Sequence, residues 1–151
     1  MIFYLIVLLV LVSDQTLKSL VKILMRPGQS IPLIKNVLHL TFVQNKGAAF
    51  GLFYGKGWLL LIIGAIVIAT IIYFHFKLSS KSFYQMPLAL ILGGSLGNFL
   101  DRLFLGHVVD YIDFRLWPVF NLADIMINLG VALLIFKMVF SKEQKDVSHS
   151  S

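Results

Sequence analysis

The sequence predicts an all-α membrane protein with four transmembrane helices and one small β element. Of its 151 residues, 58% are hydrophobic and only 13% are charged, and the mean hydropathy is +0.88. Ordinary soluble domains carry about 25% charged residues, and a soluble domain of this size cannot hide so many apolar side chains from water. The composition therefore excludes the soluble globular, disordered and collagen-like classes.

Four apolar stretches are long enough to cross a bilayer, which takes about 20 residues of helix. These stretches cover residues 2–24, 58–76, 83–103 and 119–140. The first begins like the core of a signal peptide, but no basic residue precedes it and no small-residue cleavage site follows, so we expect a retained helix. The fourth is the most polar, because Asn121, Asp124 and Asn128 lie in its first half.

Four spans place both termini on one side of the membrane. The loop 77–85 and the tail carry four lysines together, and the 25–57 segment carries four basic residues, so the charge count is a tie. Short loops next to span ends carry the orientation signal, which favours 77–85 and the tail as cytoplasmic. We expect one domain over residues 1–140 and a polar, disordered tail over 141–151.

The 25–57 segment is too long for a plain connection, and loops of this length tend to be functional. In residues 38–43, large apolar side chains alternate with His, Thr and Val, which is the pattern of a half-buried strand. Asn-Lys-Gly at 45–47 indicates a turn, and the apolar residues 48–53 predict a second strand. We therefore expect a small sheet on the membrane surface between the first two helices.

Charged side chains within a bilayer are costly, so their positions carry information. Asp14 and Lys18 lie one helical turn apart, a spacing that allows an ion pair. That pair is either a lysine reaching the interface with its counter-ion or a group that orients a nearby site. On the third helix, Asn98 and Arg102 share one face. Asp101 beside Arg102 favours a surface ion pair at the helix end.

The run Gly-Gly-Ser-Leu-Gly at 93–97 predicts close packing of the third helix against another helix. It also matches the Gly-x-Ser-x-Gly motif of serine nucleophiles. That motif needs a strand before the serine, whereas Ser95 lies within a predicted spanning helix. Helix packing is therefore the favoured interpretation.

Two carboxylates are the strongest indication of chemistry. Asp110 follows the third helix and Asp124 opens the fourth, so both lie at the same membrane face. Asp124 also suits a helix cap, and Asp110 also suits a solvated loop. If two carboxylates meet in a water-poor site, they share one proton and can activate water at a peptide carbonyl. Spacing does not show that they meet, and Asp113 competes for the second position.

Other chemistries have weaker support. The chain has no cysteine, and its four histidines are scattered without metal-ligand spacing, so we expect no metal and no nucleic-acid module. One alternative is a transporter that uses Asp14, Lys18 and Asp124 as a relay. Another is a membrane serine protease that uses Ser95 and His107.

Five sequence blocks together resemble the lipoprotein signal peptidases, or signal peptidase II, a family of bacterial membrane aspartic peptidases. The blocks are DQTLK at 14–18, QNKGAAFG at 44–51, GGSLGNFLDR at 93–102, VVDYIDF at 108–114 and FNLAD at 120–124. They occur in the order of that family and span about residues 10–135. One block is weak evidence, whereas five in order are specific.

The resemblance implies an endopeptidase that removes the signal peptide of diacylglyceryl-modified prolipoproteins just before the lipidated cysteine. It implies that Asp110 and Asp124 are the catalytic pair and that Asp113 lies outside it. Residues that would bind substrate or support the pair are Asp14, Lys18, Asn45, Gly47, Asn98, Arg102 and Asn121.

The resemblance also implies an inner-membrane protein with cytoplasmic termini, an extracytoplasmic sheet between helices 1 and 2, and an active site near the outer face. The expected partners are the prolipoprotein and the lipid bilayer. We expect a monomer that uses neither cofactor nor metal. The segment 111–123 is short, which predicts a trimmed cover over the substrate.

Overall fold

A computed structural model of the chain describes residues 1–47, 52–53, 55–79 and 82–147, with side chains as far as residue 140. Its described part contains four long helices and one three-stranded antiparallel sheet. In chain order the elements are α1 Ile2–Leu24, β1 Ser30–Ile34, β2 Leu38–Asn45, α2 Gly57–Lys77, α3 Gln85–Leu105, β3 Val108–Asp113 and α4 Leu122–Val147. The predicted fold class is confirmed.

All four helices are long and apolar enough to cross a membrane, and each overlaps one predicted span. Helix α1 has the predicted bounds, and the other helices begin or end within three residues of them, except at the end of α4. Helix α4 continues to Val147, past the domain boundary predicted at residue 140. The predicted disordered tail remains a prediction for residues 148–151, which lie outside the described part of the chain.

Helix α3 lies at the centre of the bundle and packs against the other three helices. Its small residues allow this, as predicted. Gly93 faces Val10 of α1, and Gly94 faces the backbone carbonyl of Ala123 in α4. A Cβ at Gly93 would lie 2.8 Å from the Val10 Cβ, so these helices approach more closely than larger residues permit.

The sheet has the order β1-β2-β3, and both neighbouring pairs are antiparallel. Strand β2 confirms the alternation over 38–43. Of the second strand predicted at 48–53, residues 48–51 lie outside the described part of the chain, and Leu52 and Phe53 form a turn. The neighbours of β2 are instead β1 and β3. Strand β3 comes from the connection between α3 and α4, where the sequence suggested a loop.

A small apolar core holds the sheet against the end of α1. Val21 and Met25 of α1 pack with Phe42 of β2 and with Val109 and Tyr111 of β3. Val109 is completely buried. This packing fixes β3 at the end of the bundle where α1 and α3 end and α4 begins.

Candidate active site

Strand β3 places Asp110 inside the protein, with 2% of its surface exposed. One carboxylate oxygen, Oδ1, accepts a hydrogen bond from Asn121 Nδ2 at 2.6 Å. The other, Oδ2, accepts one from Asn45 Nδ2 at 2.8 Å. The solvated-loop alternative for Asp110 is therefore wrong, because amide groups of the protein take the place of water.

Helix α4 places Asp124 in its first turn. Its Oδ1 accepts a hydrogen bond from Asn98 Nδ2 at 2.8 Å, and its Oδ2 accepts one from the Asn121 backbone N–H at 3.2 Å. In return, Asn121 Oδ1 accepts the backbone N–H of Asp124 at 3.0 Å. This reciprocal arrangement is a capping box, so Asp124 is a helix cap and also a member of the cluster around Asp110.

Asn121 joins the two carboxylates. Its Nδ2 donates to Asp110, its Oδ1 accepts from the Asp124 backbone, and its Nδ2 also lies 3.1 Å from Asn98 Oδ1. The side chain is fully buried. Asp110 and Asp124 are thus brought to one site by a single asparagine, which spacing along the chain did not show.

The other N–H groups at the start of α4 also have partners. The Leu122 N–H donates to the Tyr111 hydroxyl at 3.2 Å, and the Ala123 N–H donates to Asp14 Oδ1 at 3.0 Å. Helix starts leave such N–H groups without intrahelical acceptors, so their satisfaction fixes the position of the helix end. The position of Asp124 is therefore set by residues of β3 and α1.

A buried ion-pair cluster lies behind the two carboxylates. Lys18 Nζ is 2.9 Å from Asp14 Oδ2 and 3.0 Å from Asp101 Oδ2, and both side chains of each pair are at most 1% exposed. Lys18 is completely buried within the protein, so the alternative of a lysine that extends along the helix surface is wrong. Asp101 does not form a surface ion pair with Arg102, because it faces inward to Lys18.

Arg102 connects α3 with the turn after β2. Its guanidinium donates to the carbonyl of Asn98 at 3.4 Å and to the carbonyl of Gly47 at 3.3 Å. The Gly47 N–H in turn donates to Asn45 Oδ1 at 2.9 Å, and this contact orients the Asn45 amide that reaches Asp110. All nine residues predicted for the site therefore lie in one connected network.

Asp110 and Asp124 border a cavity of about 450 Å³. Its polar lining consists of the two carboxylates with Asn45, Asn98 and Arg102, and most of the remaining lining is apolar. The remaining lining residues are Val108, Trp117, Val119, Phe120, Ile125, Ile127 and Asn128. Within the described residues, no three His, Asp or Glu side chains group as they would around a metal ion.

The surroundings of Asp110 favour its protonated form. Burial and, to a smaller extent, the negative charge of Asp124 raise the pKa of Asp110 from its ordinary value of 3.8 to about 7. The hydrogen bonds from Asn45 and Asn121 act in the opposite direction but are weaker. This is the electrostatic behaviour of two carboxylates that share one desolvated site.

Asp113, the rival for the second position, lies outside this site. Its Oδ2 accepts a hydrogen bond from the Thr41 hydroxyl at 2.7 Å, and its Oδ1 accepts the Arg115 N–H at 2.8 Å. Burial raises the pKa of Asp113, but these two hydrogen bonds and the Arg115 charge outweigh it, so that pKa lies below its ordinary value. Asp113 is an ionised structural carboxylate on the same strand as Asp110.

The geometry also speaks against the serine protease alternative. Ser95 lies ten residues before the end of α3, which is about 15 Å along the helix axis. His107 follows that end and donates from its ring Nδ1 to the Leu105 carbonyl at 2.9 Å. These two side chains do not form a nucleophile and base pair.

Two polar residues of the network were missed from the sequence. Gln15 Nε2 donates to Asp101 Oδ1 and to the Gly97 carbonyl, both at 3.1 Å. Asp101 also accepts the Val109 N–H at 3.1 Å. The helical spacing contained an indication for Asp101, since it lies three residues after Asn98 and therefore on the same face.

Known proteins of one family match most of this chain. The sequence profile described as Signal peptidase (SPase) II matches residues 6–140. The lipoprotein signal peptidase of Halothermothrix orenii is 48% identical over 132 residues, which cover 87% of this chain and 91% of the relative. That of Desulfitobacterium hafniense strain DCB-2 is 47% identical over 136 residues, which cover 87% and 90%.

Two solved structures of bacterial membrane enzymes, obtained by the in meso method, have the same fold. One superposes with a TM-score of 0.89 at 34% identity and covers 95% of this chain and 90% of the other. The second has a TM-score of 0.81 at 35% identity and covers 90% and 91%. The chain therefore belongs to the signal peptidase II family, and it is a multi-pass bacterial membrane peptidase.

Proposed function

We propose that this protein is an aspartic endopeptidase that removes the signal peptide from diacylglyceryl-modified prolipoproteins and cuts just before the lipidated cysteine. Asp110 and Asp124 are the catalytic pair. The observation that carries this proposal is the shared contact with Asn121, which holds the buried carboxylate of Asp110 and the half-buried carboxylate of Asp124 at the wall of one cavity. Membership in the signal peptidase II family supports the substrate class.

The catalytic pair works with one shared proton. The ionised carboxylate removes a proton from a water molecule, whose oxygen then attacks the scissile carbonyl carbon. The protonated carboxyl donates its proton toward the amide, so that the C–N bond breaks and the new amine leaves. The raised pKa of Asp110 supports this division of roles, because one carboxyl of the pair stays protonated near neutral pH.

The supporting residues orient the pair and receive the substrate. Asn98 and Asn121 donate to the carboxylates without adding charge, and Asn45 does so from the sheet. Arg102 and Gly47 hold the turn after β2 next to the cavity. Asp14 and Lys18 support the pair indirectly, through contacts with the Ala123 N–H and with Asn98 Oδ1.

A membrane-anchored substrate reaches such a site laterally. The mixed cavity suits it, because the apolar lining residues can contact the signal peptide or an acyl chain while the polar lining residues contact the peptide bond. Trp117 is 61% exposed and lines this cavity from the short connection between β3 and α4. We propose that this connection covers the substrate in place of a longer lid.

The proposed orientation places both termini in the cytoplasm of a bacterium and the catalytic pair near the outer face of the inner membrane. All four helix ends that adjoin the sheet lie at the same end of the bundle, as an even number of spans requires. The lysine density near the other end supports the cytoplasmic assignment of that end. The proposed working form is a monomer, since the pair and its supporting residues come from one chain.

A cleavage assay with three substitutions tests the proposal. Purified protein in detergent or lipid should shorten a diacylglyceryl-modified prolipoprotein, with or without a chelator. Asp110→Asn and Asp124→Asn should each abolish the reaction. Asp113→Asn is the matched control, because Asp113 is a buried carboxylate on the same strand but is hydrogen-bonded to Thr41 away from the cavity. It should retain substantial turnover.

The opposite pattern contradicts the proposal. If the chelator stops cleavage, a carboxylate-activated water is not the nucleophile. If Asp113→Asn is inactive while Asp110→Asn cleaves, the catalytic pair is assigned to the wrong residues. Cleavage of the same prolipoprotein without its diacylglyceryl group at an equal rate would contradict the substrate class.

A further inference from the structure

The buried cluster behind the site consists of Lys18 and the two aspartates that contact it. Lys18 pairs with two carboxylates, Asp14 at 2.9 Å and Asp101 at 3.0 Å. Each of these carboxylates also accepts one backbone N–H from a distant segment. Asp14 accepts that of Ala123 at 3.0 Å, and Asp101 accepts that of Val109 at 3.1 Å.

These two N–H groups have one property in common. Val109 immediately precedes Asp110, and Ala123 immediately precedes Asp124. Both residues are completely buried, so neither N–H can exchange its partner for water. A single lysine therefore connects, through two carboxylates, the backbone positions that carry the two catalytic side chains.

The hydrogen-bonding capacity of Lys18 is fully used in this arrangement. An ammonium group has three N–H donors. The third reaches Asn98 Oδ1 at 2.9 Å, and the Asn98 amide in turn donates to Asp124. Contact with the lysine thus also determines which way the Asn98 amide points, since its oxygen faces the ammonium.

We propose that Asp101 is a positioning residue that, together with Asp14 and Lys18, sets the separation between the carboxyl groups of Asp110 and Asp124. Asp101 holds β3 through the Val109 N–H, and Asp14 holds the start of α4 through the Ala123 N–H. The proposal rests on the proposed function, because it takes these two carboxylates as the catalytic pair. It adds a residue that touches neither the substrate nor the reacting water.

The separation of the pair affects its pH dependence. Two carboxylates titrate in two steps that lie further apart when the groups are closer, because their repulsion grows as the distance falls. The groups facing the pair are Asp14 and Lys18 of α1, Asp101 and Arg102 of α3, and Tyr111 of β3; Asn45 of β2 is neutral. A larger separation of the two carboxyl groups moves the two limbs of the pH profile toward each other. Loss of one negative charge alone moves both limbs to lower pH together.

The test compares Asp101→Asn with Asp113→Asn in the prolipoprotein cleavage assay, with kcat and KM measured across the pH range. Both variants replace a buried aspartate: Asp101 is hydrogen-bonded to β3, and Asp113 belongs to β3. Of the two, only Asp101 contacts Lys18. For Asp101→Asn we expect kcat to fall by about 10²-fold, as for a displacement of about 1 Å, with little change in KM. We also expect a narrower pH profile. Asp113→Asn should keep the width of the wild-type profile.

Three outcomes overturn the inference. They are a wild-type kcat and profile in Asp101→Asn, a shift of both limbs without narrowing, and equal narrowing in Asp113→Asn. If Asp101→Asn does not fold, Asp101→Glu keeps the charge but displaces the anchored N–H by one methylene, and it should give the same loss of kcat and the same narrowing. An active Asp110→Asn in this assay would instead refute the proposed function, so the two failures are distinguishable.

Discussion

Replacement of Gly94 by alanine tests how closely the catalytic region depends on helix packing. A Cβ at this position in α3 would lie 2.5 Å from the Ala123 carbonyl oxygen and 2.9 Å from Ile127 Cγ1, both in α4. Ordinary van der Waals contact begins at 3.4 Å, so α4 must move by about 0.9 Å. Because the Ala123 N–H is held by Asp14, this movement strains the contact next to Asp124.

We expect Gly94→Ala to affect the unfolding free energy less than the rate of cleavage. Overpacking costs about 1–3 kcal/mol, and the better helix propensity of alanine returns about 1 kcal/mol. The net loss in unfolding free energy is therefore about 0–2 kcal/mol. In contrast, a displacement of about 1 Å near the reacting groups costs about 10²-fold in rate. We expect Gly94→Ala to remain folded and to lose most of its kcat.

The assay measures thermal unfolding in detergent and prolipoprotein cleavage on the same preparation. Gly57→Ala is the control, because a Cβ at this position in α2 meets no heavy atom closer than 4.0 Å. It should keep wild-type activity. If Gly94→Ala cleaves at the wild-type rate, the contact between α3 and α4 does not position Asp124, and the reasoning is refuted.

Two further predictions concern buried charge. Lys18→Met removes the cation between two buried carboxylates and should lower the unfolding free energy by about 3–5 kcal/mol, measured by thermal denaturation. Lys22→Met, at an exposed position on the same helix, should leave the unfolding free energy unchanged. Equal melting temperatures of these two variants would contradict the role of the ion pair. For Asp110, the folded-state pKa of about 7 exceeds the ordinary value of 3.8, so the contribution of this carboxyl to wild-type stability is complete below about pH 4 and is lost as pH rises to about 7. That loss is on the order of 4 kcal/mol, and Asp110→Asn should show a smaller fall in melting temperature between pH 5 and pH 8; an equal fall would show that Asp110 is not its source.

Much of the architecture is local in origin and was therefore readable from the sequence. Each span needs about 20 apolar residues in succession, and strand β2 shows its alternation within residues 38–43. The small residues at 93–97 predicted close packing of α3. The order of the five blocks pointed to the family and through it to Asp110 and Asp124.

The tertiary structure alone decided which distant groups meet. Asp101 and Asp113 look alike in the sequence, since each is an aspartate at the end of an element with an arginine nearby. Asp101 contacts Lys18 because α1 packs beside α3, whereas Asp113 contacts Thr41 because β3 pairs with β2. Hydropathy and periodicity depend on neighbours along the chain, but hydrogen bonds and ion pairs between elements depend on register and packing, which no local pattern contains.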